Sequence, residues 1–340
     1  MSSRAFITGV SGLELSAAER EFIRAERPWG FILFKRNVET PAQVSALVNE
    51  FRNCLGEADA PVLIDQEGGR VARLGPPHWP VYPPGAAFGA LYDLDPALGL
   101  QAAKLSSRLI AADLIDLGVT VDCLPLADVP VAGADAVIGN RAYGTEPAKV
   151  AAIARAVTGG LEQGGVLPVL KHIPGHGRAT ADSHFRLPTV DTPREELERT
   201  DFAAFRPLAD LPMAMTAHVV FSALDPAQPA TTSATIIRQV IRGQIGFQGL
   251  LMSDDVSMNA LAGSIAERTR AIVNAGCDMI LHCNGKLDEM RDVARETPEL
   301  TDEALQRARR ALASRKPPEP LDRQAARAEL DALLDRMGTA

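Results

Sequence analysis

Several apolar runs of this chain end abruptly in polar residues. PVLI is followed by Asp65 to Arg70 and by Arg73, LPVL by Lys171 and His172, MAMTA by His218, and GLLMS by Asp254 and Asp255. A buried charge needs a partner, so charges that stop buried strands are hard to explain by core packing. If these runs are parallel strands, their carboxyl ends meet at one edge and the polar residues gather in one site. Any one of them alone could be a solvated loop charge or a helix cap.

The densest polar segment is KHIPGHGRATADSHFRLP, from Lys171 to Pro188, which holds three of the six histidines. Its glycines and proline disfavour a helix in the first half, so we interpret it as a long loop, and long loops are usually functional. Asp182 and His184 stand two residues apart, close enough for the carboxylate to orient the imidazole and stabilise its charged form. The spacing predicts an acid/base pair, with an Asx turn beside a surface histidine as the alternative.

The adjacent carboxylates Asp254 and Asp255 project in opposite directions if their strand continues through them. One can then face the site as a nucleophile, while the other caps the following helix or pairs with a cation. A carboxylate and a separate proton donor across a pocket are the minimum for retaining glycoside hydrolysis, which passes through a covalent glycosyl intermediate.

A divalent metal is the main competing interpretation of the loop residues. His172, His176 and His184 could ligate zinc together with Asp182. Their spacing runs through a glycine-rich loop, however, and the rigid helical motif H-E-x-x-H is absent. The motifs G-x-x-x-x-G-K-[ST], G-x-G-x-x-G and G-x-S-x-G are absent as well. We therefore expect no metal and no cofactor.

Eight apolar runs must position these residues, and a stretch of helical spacing follows each run. The runs are AFITGV, GFILF, PVLID, VTVDCL, LPVLKH, PMAMTAHVVF, GLLMSD and CDMILHC. Eight βα pairs in about 280 residues favour a closed barrel over an open doubly wound sheet. We predict a single domain of the α/β class, with a TIM-type (β/α)8 barrel at 1–300. A helical C-terminal extension at 301–340 would pack on it.

The composition excludes several classes of function. The chain is 46% hydrophobic and 23% charged, as globular proteins are, and no apolar run approaches the length of a bilayer span. A net charge of −8 leaves no broad basic field for nucleic acid or an anionic membrane. The four cysteines form no C-x-x-C pair, and no secretory leader pattern is present. We therefore expect buried thiols in a reducing, cytoplasmic compartment.

Four segments in this order resemble the family 3 glycoside hydrolases, in particular the bacterial β-N-acetylglucosaminidases of peptidoglycan recycling. They are DQEGGRVARL, IGNRAYG, KHIPGHGRATADSH and GFQGLLMSDDVSM. The KH-x-PGHG-x₄-DSH string is the most specific, because in that family it marks the branch in which a histidine and an aspartate supply the acid/base. Ile173 stands where an aromatic residue is common in the string, and we expect only a packing consequence.

The resemblance implies a role for each matching residue. Asp254 would be the nucleophile, His184 the proton donor and acceptor, and Asp182 its electrostatic partner. The residues that would hold the sugar are Asp65, Arg73, Arg141, Lys171 and His172. His176 and His218 match no assigned position, although His176 is placed to brace the loop.

The implied function is an exo-acting, retaining β-N-acetylglucosaminidase that removes N-acetylglucosamine from muropeptides carrying 1,6-anhydro-N-acetylmuramic acid. It would work as a cytoplasmic monomer. Because its acid/base pair lies on a glycine-rich loop, we predict that the loop swings over bound substrate.

Three alternatives stay open. The first is a β-N-acetylglucosaminide phosphorylase, since a histidine repels phosphate less than a glutamate does; the others are a metal-dependent barrel hydrolase and a catalytically silent sugar-binding protein.

Overall fold

Short β-branched and apolar runs form the strands of a closed parallel barrel in this protein. The structure is a computed structural model that describes residues 3–183 and 186–338. The strands are β1 (Arg4–Thr8), β2 (Pro28–Leu33), β3 (Val62–Ile64), β4 (Gln66–Gly68), β5 (Val71–Ala72), β6 (Val121–Asp122), β7 (Leu167–Ile173), β8 (Thr189–Val190), β9 (Met213–Thr216), β10 (Val220–Phe221), β11 (Leu250–Asp255) and β12 (Met279–His282). The barrel closes in the order β1-β2-β3-β6-β7-β9-β11-β12. Each of the eight predicted runs supplies one barrel strand, which confirms the single-domain TIM-type fold.

Helices connect the strands on the outside of the barrel. They are α1 (Ala17–Glu26), α2 (Pro41–Leu55), α3 (Gly85–Leu94), α4 (Pro96–Asp116), α5 (Pro147–Gln163), α6 (Arg194–Arg199), α7 (Asp201–Phe205), α8 (Ile265–Ala275), α9 (Leu287–Glu296), α10 (Asp302–Ala313) and α11 (Arg323–Asp335), with a π-helix at Ile236–Ile245. Local sequence sets several starts: Ser16 and Ser264 form capping boxes, and Thr40 caps a helix that begins with Pro41.

The stretch of helical spacing that follows the run LPVLKH, REELERTDFAAF, forms two helices divided at Thr200. The Thr200 hydroxyl donates to the Glu196 carbonyl at 2.7 Å, and its backbone leaves the helical region with φ −116° and ψ −81°. The break lets Asp201 begin a new short helix and meet Arg178 of the loop after β7 at 2.6 Å. The interruption of the helix therefore allows Asp201 to anchor the loop after β7.

The carboxyl ends of the barrel strands lie side by side at one mouth of the barrel. Ile64 is the register partner of Asp122, and Asp255 is the partner of Leu281. The hairpin β4/β5 and the long loop after β7 extend from this mouth. Gly177 lets that loop approach the backbone closely, since a Cβ there would lie 2.1 Å from the Val129 carbonyl oxygen. The predicted strand-end residues can thus converge.

The opposite mouth is closed by α10. Ala308 and Ala311 pack into the same apolar cluster as the barrel interior, and Arg307 pairs with Asp278 at 2.9 Å. Farther along, α11 lies on α4, where Arg323 meets Asp116 at 2.7 Å. The boundary at residue 300 stays a prediction.

Two expectations about composition can be compared with this structure. The four cysteines are buried and unpaired, as expected. The longest helix, α4, carries Lys104, Arg108, Asp113 and Asp116 among its 21 residues. Within 3–183 and 186–338, none of the helices could span a bilayer.

Candidate active site

A cavity of about 220 Å³ opens at the mouth formed by the carboxyl ends of the strands. Every predicted site residue that the structure describes lines it: Asp65, Arg73, Arg141, Lys171, His172, Asp182 and Asp254. His184, the predicted proton donor, lies outside the described residues. Further walls come from apolar side chains, among them Phe34, Val71, Val137, Met215 and Met258. The structure therefore brings these residues together from segments far apart along the chain.

A chain of alternating charges forms one side of the cavity. Lys171, at the end of β7, is 1% exposed, and its Nζ donates to Asp65 Oδ1 at 2.8 Å and to Glu67 Oε1 at 2.7 Å. Arg73 pairs with the other Asp65 oxygen at 3.0 Å. Arg141 holds Glu67 through two hydrogen bonds of 2.8 and 2.9 Å. Paired forks of this kind fix side-chain geometry tightly.

Glu67 joins the two halves of this network, and the sequence-based prediction omitted it. It is 8% exposed and neutralises both Lys171 and Arg141. A signal was present in the sequence, because Asp65 and Glu67 stand two apart and two buried carboxylates on one face require cations. Without Glu67, Lys171 and Arg141 would face each other with one carboxylate fewer between them.

The network keeps its members charged at neutral pH. Burial alone would raise the pKa of the Asp65 carboxyl, but the adjacent Lys171 and Arg73 outweigh it and hold that pKa well below its usual range. The pKa of Glu67 is likewise lowered by Lys171 and Arg141 against the effect of burial. Burial would lower the pKa of Lys171, yet Asp65 and Glu67 raise it. These groups can bind and orient a substrate, but none is tuned to transfer a proton.

His172 is held by a second carboxylate that the sequence-based prediction missed. Asp128 is fully buried in the segment after β6, and its Oδ2 lies 2.8 Å from His172 Nδ1. Its Oδ1 accepts from the backbone amides of His172 and His176 at 3.3 and 2.7 Å. Burial would raise the pKa of Asp128, but His172 and His176 lower it to about 2. No periodic pattern in the sequence marks Asp128, because it pairs with residues 44 and 48 positions away.

The adjacent carboxylates of β11 have different surroundings. Asp254 is half-buried and lines the cavity, and its Oδ1 accepts from the Asp255 amide at 2.8 Å. Asp255 accepts from the Ser257 amide and hydroxyl at 3.0 and 2.6 Å and from the Cys283 amide at 3.1 Å. Asp255 therefore fixes the turn after the strand, whereas Ser264 caps the next helix.

His218 supports the same strand end from behind. It is completely buried, with Nδ1 at 2.7 Å from the Thr231 hydroxyl and Nε2 at 3.0 Å from the Asp255 carbonyl oxygen. Thr231 also meets the Thr216 hydroxyl at 2.8 Å, and that hydroxyl accepts from the Asp254 amide at 3.4 Å. His218 is thus a structural residue that holds the backbone next to Asp254.

The loop after β7 brings Asp182 to the cavity and is anchored on both sides of it. His176 Nε2 lies 3.0 Å from the Ser183 hydroxyl, and the Ser183 carbonyl accepts from the Ala260 amide at 3.2 Å. Burial, followed by the neighbouring His172, lowers the pKa of His176 to about 4, so the ring is neutral at ordinary pH. On the other side Arg178 binds Asp201, which is 1% exposed. His176 therefore braces the loop, as the sequence led us to expect.

The described part of the loop gives little support to a metal centre. His172 Nδ1 is held by Asp128, and His176 Nε2 is held by Ser183. Among the residues that the structure describes, which leave out His184, no group of three or more His, Cys, Asp or Glu side chains is placed to hold a metal ion. The several charged hydrogen-bonding groups and the few apolar walls of the cavity could bind a polyhydroxyl compound.

Comparison with known proteins identifies relatives along nearly the whole chain. Residues 7–314 match the glycosyl hydrolase family 3 N-terminal domain. A β-hexosaminidase of Alkalilimnicola ehrlichii is 40% identical over 280 residues, covering 81% of this chain and 79% of the relative. One from Bordetella avium is 37% identical over 309 residues, covering 89% and 86%. NagZ from Neisseria gonorrhoeae, solved in complex with N-trifluoroacetyl-D-glucosamine, superposes with a TM-score of 0.88 at 30% identity, covering 98% of this chain and 99% of NagZ.

Proposed function

The chain belongs to glycosyl hydrolase family 3, and we propose that it is a retaining exo-β-N-acetylglucosaminidase. It is a glycoside hydrolase of the β-hexosaminidase type, like its curated relatives. The observation that carries the finer proposal is the cavity itself. It brings a strand-end carboxylate, Asp254, and a loop carboxylate, Asp182, together with a fixed cluster of charged hydrogen-bonding groups.

The charged cluster supports the binding of one sugar ring. Asp65 has acceptor oxygens for hydroxyl hydrogens, while Arg73, Arg141 and Lys171 can donate to hydroxyl oxygens. Because each of these side chains is already paired, little side-chain entropy is lost when the sugar arrives. A cavity of about 220 Å³ suits a single terminal sugar, which is consistent with exo action. The complex of NagZ with an N-acylated glucosamine favours N-acetylglucosamine as that sugar.

The proposed reaction has two displacement steps. The Asp254 carboxylate forms a bond to the anomeric carbon as the glycosidic bond breaks, and His184 gives its proton to the leaving oxygen. Neutral His184 then takes a proton from water, whose oxygen displaces Asp254 and completes the retention of configuration. Asp182 stabilises the imidazolium form of His184. The cluster around Lys171 stays charged throughout, so it does not compete for these protons.

The biological substrates that we propose are muropeptides ending in N-acetylglucosamine, including those with 1,6-anhydro-N-acetylmuramic acid, met during peptidoglycan recycling in the cytoplasm. The enzyme would act as a monomer without a cofactor. The assignments of substrate rest on the resemblance of the four sequence segments and on the β-hexosaminidase relatives. Incubation with purified muropeptides and mass analysis of the products would test them directly.

Trapping of the covalent intermediate tests the nucleophile. The protein is incubated with a fluorinated N-acetylglucosaminide that forms the glycosyl ester but hydrolyses it slowly, and the adduct is located by peptide mass spectrometry. We expect the sugar on Asp254, and an adduct on any other residue overturns the assignment. Asp254→Ala should lower kcat about 10⁴-fold or more. It should still bind N-acetylglucosamine, because the charged cluster is intact.

Product analysis with and without inorganic phosphate separates hydrolysis from phosphorolysis. We expect free N-acetylglucosamine under both conditions. Formation of N-acetylglucosamine 1-phosphate would instead identify a phosphorylase. Treatment with a chelator should leave the activity unchanged, whereas its loss would favour a metal-dependent hydrolase.

A further inference from the structure

Asp128 and His172 form a hydrogen-bonded pair at the edge of the cavity. His172 lines the cavity, and its Nδ1 lies 2.8 Å from Asp128 Oδ2. With Nδ1 engaged, Nε2 is the ring nitrogen that His172 can present to a bound molecule. The orientation of the ring and the position of its proton therefore both depend on Asp128.

Asp128 determines which nitrogen of His172 carries the proton. The Asp128 pKa of about 2 leaves the carboxylate ionised at neutral pH, although burial works in the opposite direction. An ionised carboxylate only accepts hydrogen bonds, so Nδ1 must be the donor. In the neutral ring, Nε2 then has a lone pair and acts as an acceptor.

We propose that Asp128 is a positioning residue that fixes His172 as a hydrogen-bond acceptor for a sugar hydroxyl. The inference rests on the proposed function for the identity of the sugar, but not for the state of the ring. The neighbouring Lys171 can only donate, and Asp65 can only accept. The three side chains thus offer a hydroxyl group both a donor and acceptors. Asp128 keeps His172 in the tautomer that accepts.

The contacts of Asp128 predict what an amide would do in its place. Oδ1 accepts from two backbone amides, those of His172 and His176. The side-chain amide of Asp128→Asn must therefore put its carbonyl oxygen at the position of Oδ1, and its NH₂ group falls opposite His172 Nδ1. That NH₂ group donates, so Nδ1 must accept and the proton moves to Nε2. The substitution should invert the tautomer while it keeps the shape of the site.

The first test reads the tautomer by nitrogen NMR of the imidazole rings at about pH 8.5, where an ordinary imidazole is neutral. The His172 signals are assigned from their loss in His172→Gln. We expect the proton on Nδ1 in the unmodified protein and on Nε2 in Asp128→Asn. A proton on Nε2 in the unmodified protein overturns the inference, and this result needs neither activity nor a folded Asp128→Asn variant.

The second test measures KM and kcat for an aryl β-N-acetylglucosaminide. Asp128→Asn should raise KM about tenfold, because an acceptor for the sugar becomes a donor, and should change kcat by less than about threefold. In a His172→Ala background the same substitution should change KM no further, since it acts through His172. Equal effects in both backgrounds would show that Asp128 only stabilises the fold.

A matched control is Asp278→Asn at the other end of the barrel. Asp278 is also buried, and its carboxylate accepts from Arg242, Arg307 and the Leu251 amide. We expect a lower melting temperature in this variant with KM unchanged. If the unmodified protein hydrolyses no N-acetylglucosaminide, the proposed function fails while the NMR result still decides the inference about Asp128. If it is active but KM is the same in Asp128→Asn, the inference fails alone.

Discussion

The two sides of the cavity are held in place by different means. On one side, which we propose to bind the sugar and call the sugar-binding side, Asp65, Glu67 and Lys171 are tied by ion pairs with one another and with Arg73 and Arg141. On the other side, Asp182 lies on a loop that is anchored mainly by neutral hydrogen bonds of Ser183 and, farther off, by the pair of Arg178 and Asp201.

In the proposed mechanism, this difference would separate sugar binding from proton transfer. Buried ion pairs contribute little net stability, because desolvation offsets their attraction, but they hold charged groups in one geometry before the sugar binds. The segment of the loop next to Asp182, whose contacts at Ser183 are neutral hydrogen bonds, can change position at lower cost. The sugar-binding side should therefore respond to substitution in KM and in stability, and the loop side in kcat. Motion of the loop over the substrate stays a prediction, since His184 lies outside the described residues.

Asp182→Asn should give the largest effect of the loop side. Without the carboxylate, the imidazolium form of His184 loses its electrostatic partner, so kcat for a substrate with a poor leaving group should fall about 10²-fold to 10³-fold. The loss should be much smaller for an activated aryl glycoside, which needs little protonation. Steady-state kinetics on a series of aryl leaving groups measures this dependence.

The melting temperature provides the control for Asp182→Asn. We expect it to stay within a few degrees of that of the unmodified protein, because the loop anchors at Ser183 and Arg178 remain. A variant that loses stability, or that slows all leaving groups equally, would contradict the division between the two sides.

Glu67→Gln changes the sugar-binding side, and we expect it to alter KM and stability rather than kcat. Removing the charge of the buried Glu67 leaves the half-buried Arg141 without its charged bidentate partner and Lys171 with one carboxylate, which should lower the free energy of unfolding by about 3 kcal/mol. KM should rise about tenfold as both cations shift. The control is Glu50→Gln, whose surface pair with Arg20 should contribute much less to stability.

The same variant should change the acid dependence of stability. The pKa of Glu67 is lower in the folded protein than in the unfolded chain, so its stabilisation is fully present above about pH 5 and is lost as the pH falls below about 4. The unfolding free energy of Glu67→Gln should accordingly fall less between about pH 6 and pH 3. Parallel curves for the two proteins would show that Glu67 is not held ionised by its neighbours.

The barrel could be predicted from the sequence because each strand is marked by a short apolar run. The eight apolar runs became the eight barrel strands, and their polar ends met at one mouth. Asp128 and Glu67 were missed for different reasons. Asp128 lies in an irregular segment and acquires its role only from His172 in space. Glu67 lies inside a predicted motif, but its pairing with Arg141 depends on a residue 74 positions away.

Two details of the helices could not be predicted from the local sequence pattern either. The sequence REELERTDFAAF has unbroken helical spacing, yet it is interrupted at Thr200, where Arg178 of the loop reaches Asp201. The stretch of helical spacing that follows the run PMAMTAHVVF also forms a helix, but this helix has the wider π form over Ile236–Ile245. At Thr200 a tertiary contact thus modifies a structure whose type the sequence predicts.

Ser183→Ala should give the smallest effect and is the most sensitive probe of the loop. It removes the hydrogen bond to His176 Nε2 but keeps the one from the Ala260 amide to the residue 183 carbonyl. Losing one of two anchors should lower kcat about threefold to tenfold with KM unchanged. Ser107→Ala is the control, because this buried serine donates only to the Lys104 carbonyl within α4. If both serine variants keep full kcat, the His176 contact does not position the proton donor, and at residue 183 the loop is held by its backbone alone.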